Sequence, residues 1–301
     1  MFGLAPLGPA LRQCALAIGG DEHSPPSQWD LSSLRIFKPR VAFPLWWGRV
    51  RPDRKVWITA LPNRAPIPPD AGYSVRVTTC RDYRGGQLTY DSHVGTDFAT
   101  PPGTRLCAAA AGTVRGVRKD MQRGGLKVLL DHGGGLATTY SHLAEARVTV
   151  GQELRAGDVL GLSGMSGVDG LIGFPWLAPH LHFNALLGGV AVDPFAVEGE
   201  ESLWVARNAP TPETGDAAVP PTEWDDERVD ASIAGCRDPR IRGELEGLSG
   251  DARRFALVFE RLLWPFAFPD PQAPLASGSR NPRLGLPFHP EDYDGVVFFE
   301  A

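Results

Sequence analysis

Short runs of β-branched and apolar residues, separated by glycine-rich turns, dominate the pattern of residues 80–197. The runs "LKVLL" and "LATTYSHL" are joined by three consecutive glycines, which is typical of a β-hairpin. Two further strand-length runs are "GTVRGV" and "HLHFNALL", and Gly151, Gly157 and Gly161 punctuate the segment between them. Long stretches with a 3.6-residue period are missing. The pattern therefore predicts an antiparallel, all-β domain over residues 80–197.

The flanking segments have a different composition. Residues 1–79 form an accessory segment rich in proline and tryptophan, and we expect its part from 24 to 80 to form short strands packed on the sheet. Residues 198–222, which include "NAPTPETGDAAVPPT", are typical of a linker. The accessory region 223–301 contains an apolar stripe at helical spacing near residues 251–264, which stops at Pro265. We expect this helix to dock on its own chain, and binding of a protein partner through this region is the alternative.

Histidine and aspartate residues of the predicted β domain form a pattern that suits a metal. His180 and His182 lie two residues apart on a predicted strand, so both face one side, roughly 6–7 Å apart. An extended strand would hold His93 and Asp97 about 13 Å apart, but Gly95 between them permits a bend or bulge. Together with His182 they give two imidazoles and one carboxylate.

Two imidazoles and one carboxylate leave a fourth position open for water, as catalytic zinc requires. The same set could hold non-haem iron, and an H-x-H pair taken alone is more often structural. His142 and His180 would then take the proton of the water or stabilise an oxyanion, since a neutral imidazole near pH 7 suits either task. His132 precedes three glycines and is interpreted as a turn residue.

Residues 93 to 195 resemble the lysostaphin-type (LytM-like) zinc endopeptidases, which cut peptide bonds in bacterial cell-wall peptidoglycan. The resemblance runs through "HVGTDFATPPGT", "AAAAGTVRGV", "LKVLLDHGGGLATTYSHL", "VTVGQELRAGDVLGLSG" and "PHLHF". It implies an antiparallel sandwich with a duplicated hybrid motif, and one zinc ion per chain held by His93, Asp97 and His182. It further implies that His142 and His180 are the catalytic histidines, and that peptide stems or cross-bridges of peptidoglycan are the substrate.

This chain departs from the family pattern at two places. Asn184 stands where many members carry Glu or Gln, and residues 168–178 are longer than usual just before the histidine pair. The aromatic side chains of that segment are candidate walls of a substrate cleft, although filling a local core is an equal alternative. We name Tyr140, Phe174 and Trp176 as candidate substrate contacts. For the tryptophans of "FPLWWGRV", core packing is favoured over stacking on sugar rings.

Composition limits the other function classes. The chain has 301 residues and a net charge of −5, which argues against nucleic acid or an anionic membrane as a partner attracted by bulk charge. No apolar run approaches the ~20 residues of a membrane span. Residues 1–20 make a poor signal peptide, yet a wall substrate would place the protein in the cell envelope. The four cysteines, Cys14, Cys80, Cys107 and Cys236, are too scattered to predict a disulfide framework, and Cys107 is expected to be a buried thiol.

Two rival functions come from other classes. Carrier domains built on a duplicated hybrid motif share the pattern of strands and glycines, but a lipoyl carrier needs a lysine at an exposed hairpin tip. Neither Lys119 nor Lys127 is in such a tip. A zinc-binding regulator of wall hydrolases that does not itself cut is the other rival. Metal content tests the first rival, and activity on peptidoglycan tests the second.

Overall fold

The computed structural model describes residues 1–21, 25–68, 71–215 and 220–300. Within these residues the chain forms six α-helices and eleven strands. The helices are α1 (Leu7–Gly19), α2 (Pro39–Trp46), α3 (Val168–Gly173), α4 (Asp226–Ala234), α5 (Pro239–Glu246) and α6 (Gly250–Leu263). The strands are β1 (Lys55–Ala60), β2 (Thr96–Ala99), β3 (Arg105–Cys107), β4 (Gly112–Asp120), β5 (Gly125–Asp131), β6 (Leu136–Ala146), β7 (Glu153–Leu154), β8 (Val159–Ser163), β9 (His180–Leu187), β10 (Val190–Val192) and β11 (Gly295–Phe298).

All eleven strands belong to one sheet, whose main path runs β11-β1-β2-β9-β6-β5-β4-β7. Strand β10 pairs with β9, while β8 joins β3 to β6. Every strand pair within residues 80–197 is antiparallel, as predicted. The short helix α3 is the one helix in this range among the described residues. The domain over residues 80–197 is thus predominantly β, and three of the six α-helices, α4 to α6, lie in the C-terminal region.

Alternation along β9 divides its side chains between two layers. Leu181 and Phe183 are fully buried in the main core, where they pack with residues such as Phe98 and Trp204. The other face carries His180, His182, Asn184 and Leu186, since successive side chains of a strand point to opposite faces. Leu186 lies under the C-terminal helices. The histidine pair therefore shares its face of the sheet with these helices.

The predicted helix near residues 251–264 is present as α6. Its apolar stripe packs on the outer face of the sheet, with Phe255, Val258 and Phe259 buried against the layer that includes Leu129 and Leu186. The contact is close, because a Cβ atom added at Gly116 would lie within 2.4 Å of the Phe259 ring. The stripe is consequently covered by its own chain, as expected, and a protein partner of the C-terminal region remains a prediction.

The prediction of a linker at residues 198–222 is wrong for its first part. Leu203 and Trp204 are fully buried, and the Trp204 ring stacks on Phe183 at a centroid distance of 5.5 Å. Gly215 makes a backbone bridge with Ala156 in the β domain. Apolar burial of this size fixes a segment to its domain. Residues 216–219 of the predicted linker lie outside the described residues.

The accessory segments are also more closely joined to the β domain than we expected. From residues 24–80 one strand, β1, enters the sheet, and it pairs with β2 on one side and with β11 on the other. The helices α1 and α2 were not predicted. Trp46 packs at an edge of the domain and donates its indole N–H to the Leu177 carbonyl, whereas Trp47 is 83% exposed, so core packing is wrong for Trp47. Boundaries at residues 80 and 223 therefore do not separate independent units.

Two further expectations concern cysteines and membranes. All four cysteines are buried free thiols, including Cys107 as expected. In the described part of the chain, no helix combines the length and the apolar character that crossing a bilayer demands.

Candidate active site

Two neighbouring strands place the predicted metal ligands side by side. In the antiparallel ladder of β2 and β9, Asp97 lies directly opposite His182, and Ala99 lies opposite His180. Directly opposite residues have side chains close together on the same face. His93 lies in the turn before β2, where its backbone N–H is bonded to the Tyr90 carbonyl and its carbonyl accepts from Asn63. The ladder and this turn therefore bring the three predicted ligands to one point.

Three candidate ligand atoms converge there. His93 Nε2 lies 3.0 Å from Asp97 Oδ1 and 3.2 Å from His182 Nδ1, and His182 Nδ1 lies 2.8 Å from the same carboxylate oxygen. A tetrahedral zinc ion with bonds of about 2.0–2.1 Å holds its ligands about 3.3 Å apart, close to these separations. Among the described residues, this is the one group of three or more such side chains with converging ligand atoms.

The orientation of His93 shows why these atoms need a shared cation. Its Nδ1–H donates to the Leu61 carbonyl at 2.8 Å, which leaves the lone pair of Nε2 facing Asp97 and His182. Lone pairs so close together repel each other unless a proton or a metal ion lies between them. A backbone carbonyl that binds the outer nitrogen is the usual way of orienting a metal-binding imidazole. The donor set therefore fits a divalent metal ion.

The chain bends at Gly95, as the sequence suggested, and close packing also requires a glycine there. A Cβ atom at this position would lie 2.6 Å from His182 Nε2 and 2.8 Å from Asn184 Nδ2. Gly95 is not among the residues with a positive φ angle. The backbone before Asp97 thus runs directly against the ring of His182, and only a hydrogen atom fits between them.

His142 and His180 lie beside this group. Their ring centroids are 4.8 Å apart, and His180 Nε2 is 3.6 Å from Asp97 Oδ1. Each donates Nδ1–H to a backbone carbonyl, His142 to Ser166 and His180 to Ala178, so that the lone pair of each neutral ring lies on Nε2. The structure therefore brings together all five predicted residues, namely His93, Asp97, His142, His180 and His182.

A β-bulge turns His142 towards the site. The register between β5 and β6 shifts between Leu126 and Val128, opposite Tyr140 and Leu143. His142 occupies this irregularity with φ = 64°, a left-handed conformation that is uncommon outside glycine. Its N–H bonds to the Gly124 carbonyl at 2.8 Å. Bulges redirect a side chain next to active sites, and this conformation is part of the site's construction.

The protonation of the group follows from its burial and charges. Burial alone would raise the pKa of Asp97, but the nearby imidazoles of His93 and His180 outweigh it and hold that pKa well below its usual range. Burial lowers the pKa of His182. For His93 the charge of Asp97 outweighs burial, so its pKa is raised. Burial, reinforced by His180, lowers the pKa of His142 to about 4. His142 is therefore neutral at pH 7 and able to accept a proton.

The five residues lie at the floor of a cleft of about 1410 Å³. Its walls come from residues 29–40 of the N-terminal segment, from α3 and from residues 262–266, which lie at the end of α6 and just after it. Sequence reasoning missed several residues that line it: Tyr73, Tyr90, Arg123 and Asp169. Asp169 Oδ2 lies 3.9 Å from His142 Nε2. The one signal for Asp169 in the sequence was its position in the segment 168–178, which is longer than is usual in the family.

The candidate substrate contacts need correction. Tyr140 is fully buried on the core face of β6, where its hydroxyl accepts the N–H of Ala109, so it has no surface to offer a substrate. Phe174 and Trp176 are half-exposed but pack on the N-terminal segment, with ring contacts to Trp46 and Phe43 respectively, and they do not line the cleft. The segment 168–178 does form a cleft wall, through other side chains such as Ile172 and Leu177.

His132 has a structural role. It is buried, with one ring nitrogen bonded to the Ala111 carbonyl and the other 2.8 Å from the Thr138 hydroxyl. Asn184 lies at the cleft, and its Oδ1 accepts from Thr139 while Nδ2 has no hydrogen-bond partner within the described residues.

Comparison with known proteins agrees with this geometry. Residues 91–194 match the model of peptidase family M23. The chain carries a peptidase M23 domain. The matched range contains all five clustered residues and falls within the predicted limits of 80–197.

Curated relatives that match this domain are named as peptidases. A "DD-carboxypeptidase/endopeptidase Mpg" of Neisseria meningitidis is 31% identical over 156 residues, which is 52% of this chain and 30% of the relative. "Peptidoglycan DD-endopeptidase ShyA" of Vibrio cholerae is 36% identical over 102 residues, 34% of this chain and 22% of the relative. The chain thus spans less than a third of these relatives. The catalytic domain of lysostaphin from Staphylococcus simulans aligns with a TM-score of 0.31 and 30% identity, over 35% of this chain and 77% of that one.

Proposed function

We propose that this protein is a zinc-dependent endopeptidase that hydrolyses peptide bonds in bacterial cell-wall peptidoglycan. The observation that carries the proposal is the convergence of His93 Nε2, Asp97 Oδ1 and His182 Nδ1 beside two further imidazoles at the floor of a cleft. The M23 match over the same residues supports it, as do relatives named as peptidoglycan DD-endopeptidases.

We assign one zinc ion per chain to His93, Asp97 and His182. When bound, zinc polarises the scissile carbonyl and makes a water molecule acidic enough to attack near neutral pH. The Leu61 carbonyl keeps the His93 ring in the tautomer that offers Nε2. Iron is the other metal that such a ligand set accepts, and metal analysis separates the two.

His142 and His180 are assigned the proton transfers. Because burial keeps His142 neutral, its free Nε2 can take a proton from the attacking water and later donate it to the leaving amine. His180 Nε2 lies next to Asp97. When this nitrogen carries a proton, it is placed to stabilise negative charge on the oxygen of the tetrahedral intermediate. Their Nδ1–H bonds to backbone carbonyls fix the direction of both lone pairs.

Four wider assignments accompany this function. The finer fold prediction, an antiparallel sandwich with a duplicated hybrid motif, is retained as part of the proposal. Peptide stems or cross-bridges are the proposed substrate, and the proposed location is therefore the cell envelope. The flanking strand β1 and helix α6 act as supports of the M23 domain, since both pack on its sheet.

The test combines metal content with activity on purified peptidoglycan. Wild type and His289→Ala, a control outside the cleft, should contain one zinc per chain and release peptide fragments identifiable by mass spectrometry. His182→Ala should lose both zinc and activity. A wild-type protein with stoichiometric zinc but no cleavage would instead indicate a non-cutting regulator, and one without any metal would favour a carrier domain.

A further inference from the structure

One cation in the cleft wall has no partner that accounts for its burial. Arg123 lies in the turn between β4 and β5, lines the cleft and is only 9% exposed. Within the described residues its Nε has no hydrogen-bond acceptor, and the side chain forms no salt bridge. Arginine stays charged in proteins, and a buried charge without a counter-ion is costly.

The nearest carboxylates are engaged elsewhere. Asp120 accepts the backbone N–H of Arg123, but its other oxygen binds the buried Lys127 amine at 2.7 Å. Asp169 favours the charged form of Arg123 through space, and its Oδ2 lies 3.9 Å from His142 Nε2. Despite these charges, burial lowers the pKa of Arg123. Among the described residues, no carboxylate forms an ion pair with the guanidinium of Arg123.

Aromatic rings hold the guanidinium in place. Its Cζ lies 4.4 Å from the centroid of Tyr73 and 5.2 Å from that of Trp264, so one ring comes from the N-terminal segment and the other from the end of α6. Stacking of this kind fixes the plane of an arginine while leaving its N–H edges available. Both rings lie outside residues 91–194, the range of the family match.

Arg123 is connected to the proposed catalytic group through its neighbours. Gly124, the next residue, accepts the backbone N–H of His142 at 2.8 Å. On the other side, the Tyr73 hydroxyl lies 3.0 Å from that of Tyr90, whose ring packs on His93 at a centroid distance of 4.5 Å. Arg123 thus lines the same cleft as the metal ligands.

We infer that Arg123 is a substrate-binding residue that receives a free carboxylate of the peptide. This inference rests on the proposed peptidase function and names the part of the peptide that the cleft recognises. A planar guanidinium binds a carboxylate through two parallel N–H···O bonds, and the buried setting strengthens them. The carboxylate is either the terminal α-carboxylate of a stem peptide or an acidic side chain next to the cut bond.

The test uses three synthetic stem peptides: one with both carboxylates free, one with a C-terminal amide and one with its side-chain carboxylate amidated. Binding is measured by calorimetric titration to the zinc-loaded full chain carrying His180→Ala, and KM and kcat are measured with the wild type. Amidation at the recognised carboxylate should weaken binding about 10- to 100-fold and raise KM with little change in kcat. The position at which amidation weakens binding identifies which of the two carboxylates Arg123 binds.

Arg123→Met should bind all three peptides equally weakly, with Arg123→Lys in between, because lysine keeps the charge and loses the planar fork. Arg40→Met is the matched control, since Arg40 lines the same cleft but is exposed. A substrate-binding role predicts an unchanged or higher melting temperature for Arg123→Met.

Equal binding of the free and amidated peptides by proteins with Arg123 intact would overturn the inference, and that comparison does not depend on how the variants fold. If the wild type cleaves no peptide but titration still shows a preference for one carboxylate that needs Arg123, the peptidase proposal fails and the binding site stands.

Discussion

Replacement of Gly95 by alanine should damage the metal site while leaving the fold intact. The new Cβ would lie 2.6 Å from Nε2 and 2.7 Å from Cε1 of His182, whereas ordinary van der Waals contacts begin near 3.4 Å. The new methyl group cannot shift towards Asn184 either, because it would already lie 2.8 Å from that side chain, which is bonded to Thr139. The His182 ring must therefore move away from its position beside Asp97.

The size of this movement decides the outcome. Ligand distances in zinc sites hold within about 0.2 Å, and disturbing the partners that orient a ligand already costs about 10- to 100-fold in affinity. We expect Gly95→Ala to weaken zinc binding by a factor on the order of 10². Overpacking costs about 1–3 kcal/mol, small against a typical stability of about 5–15 kcal/mol, so the protein should stay folded.

Competition with a zinc chelator measures the affinity, and circular dichroism checks the fold. Gly243→Ala is the matched control, because a Cβ there meets nothing within 4 Å and Gly243 lies within α5. That variant should keep wild-type affinity and gain up to about 1 kcal/mol of stability. Wild-type zinc affinity in Gly95→Ala would refute the reasoning that packing against Gly95 positions His182.

Three further outcomes are expected. His142→Ala and His180→Ala should retain zinc but lose turnover by a factor on the order of 10²–10⁴, and elemental analysis showing lost metal would place either residue among the ligands. Trp176→Ala should lower the melting temperature modestly and leave kcat/KM unchanged, because its ring packs on Phe43 and not in the cleft; a kinetic defect without destabilisation would contradict this. Burial lowers the pKa of His132 from 6.5 to about 4, so its neutral form contributes stability that is present above pH 6.5 and is lost as the pH falls towards 4, by about 3 kcal/mol. His132→Gln should flatten that part of the acid-unfolding profile, and an unchanged profile would exclude His132 as its source.

The alternation of side chains along a strand predicted the histidine pair of the site, whereas the other ligands depended on a bend at Gly95 and on the family resemblance. His180 and His182 share a face because β9 is a strand, and Asp97 meets them because β2 pairs with β9. What periodicity could not reveal was the bulge that turns His142 inward. A bulge depends on the register between two strands, and register is set by packing and by turns distant from the residue itself.

The remaining errors have one physical cause. Trp204 lies in a segment with the composition of a linker, yet it fills the core beneath Phe183. Tyr140 sits two residues before His142 and was named as a candidate substrate contact, but the bulge separates their faces. Arg123 has no local motif, since its neighbours Tyr73 and Trp264 come from distant parts of the chain. Contacts between segments far apart in sequence leave no periodic signal.

The parallel pairing of β1 with β11 can form only late in the synthesis of the chain. Strand β1 supports β2, which carries Asp97, but the partner on its other side, Gly295–Phe298, follows about 200 residues later. At about 5–20 residues per second, a ribosome delivers that partner roughly 10–40 s after Asp97. During this interval the sequence "KVWITA" is an uncovered edge rich in β-forming residues, the kind of template to which another nascent chain can add. We therefore expect chains cut before residue 295 to aggregate during expression, although they contain every proposed zinc ligand and both proposed catalytic histidines.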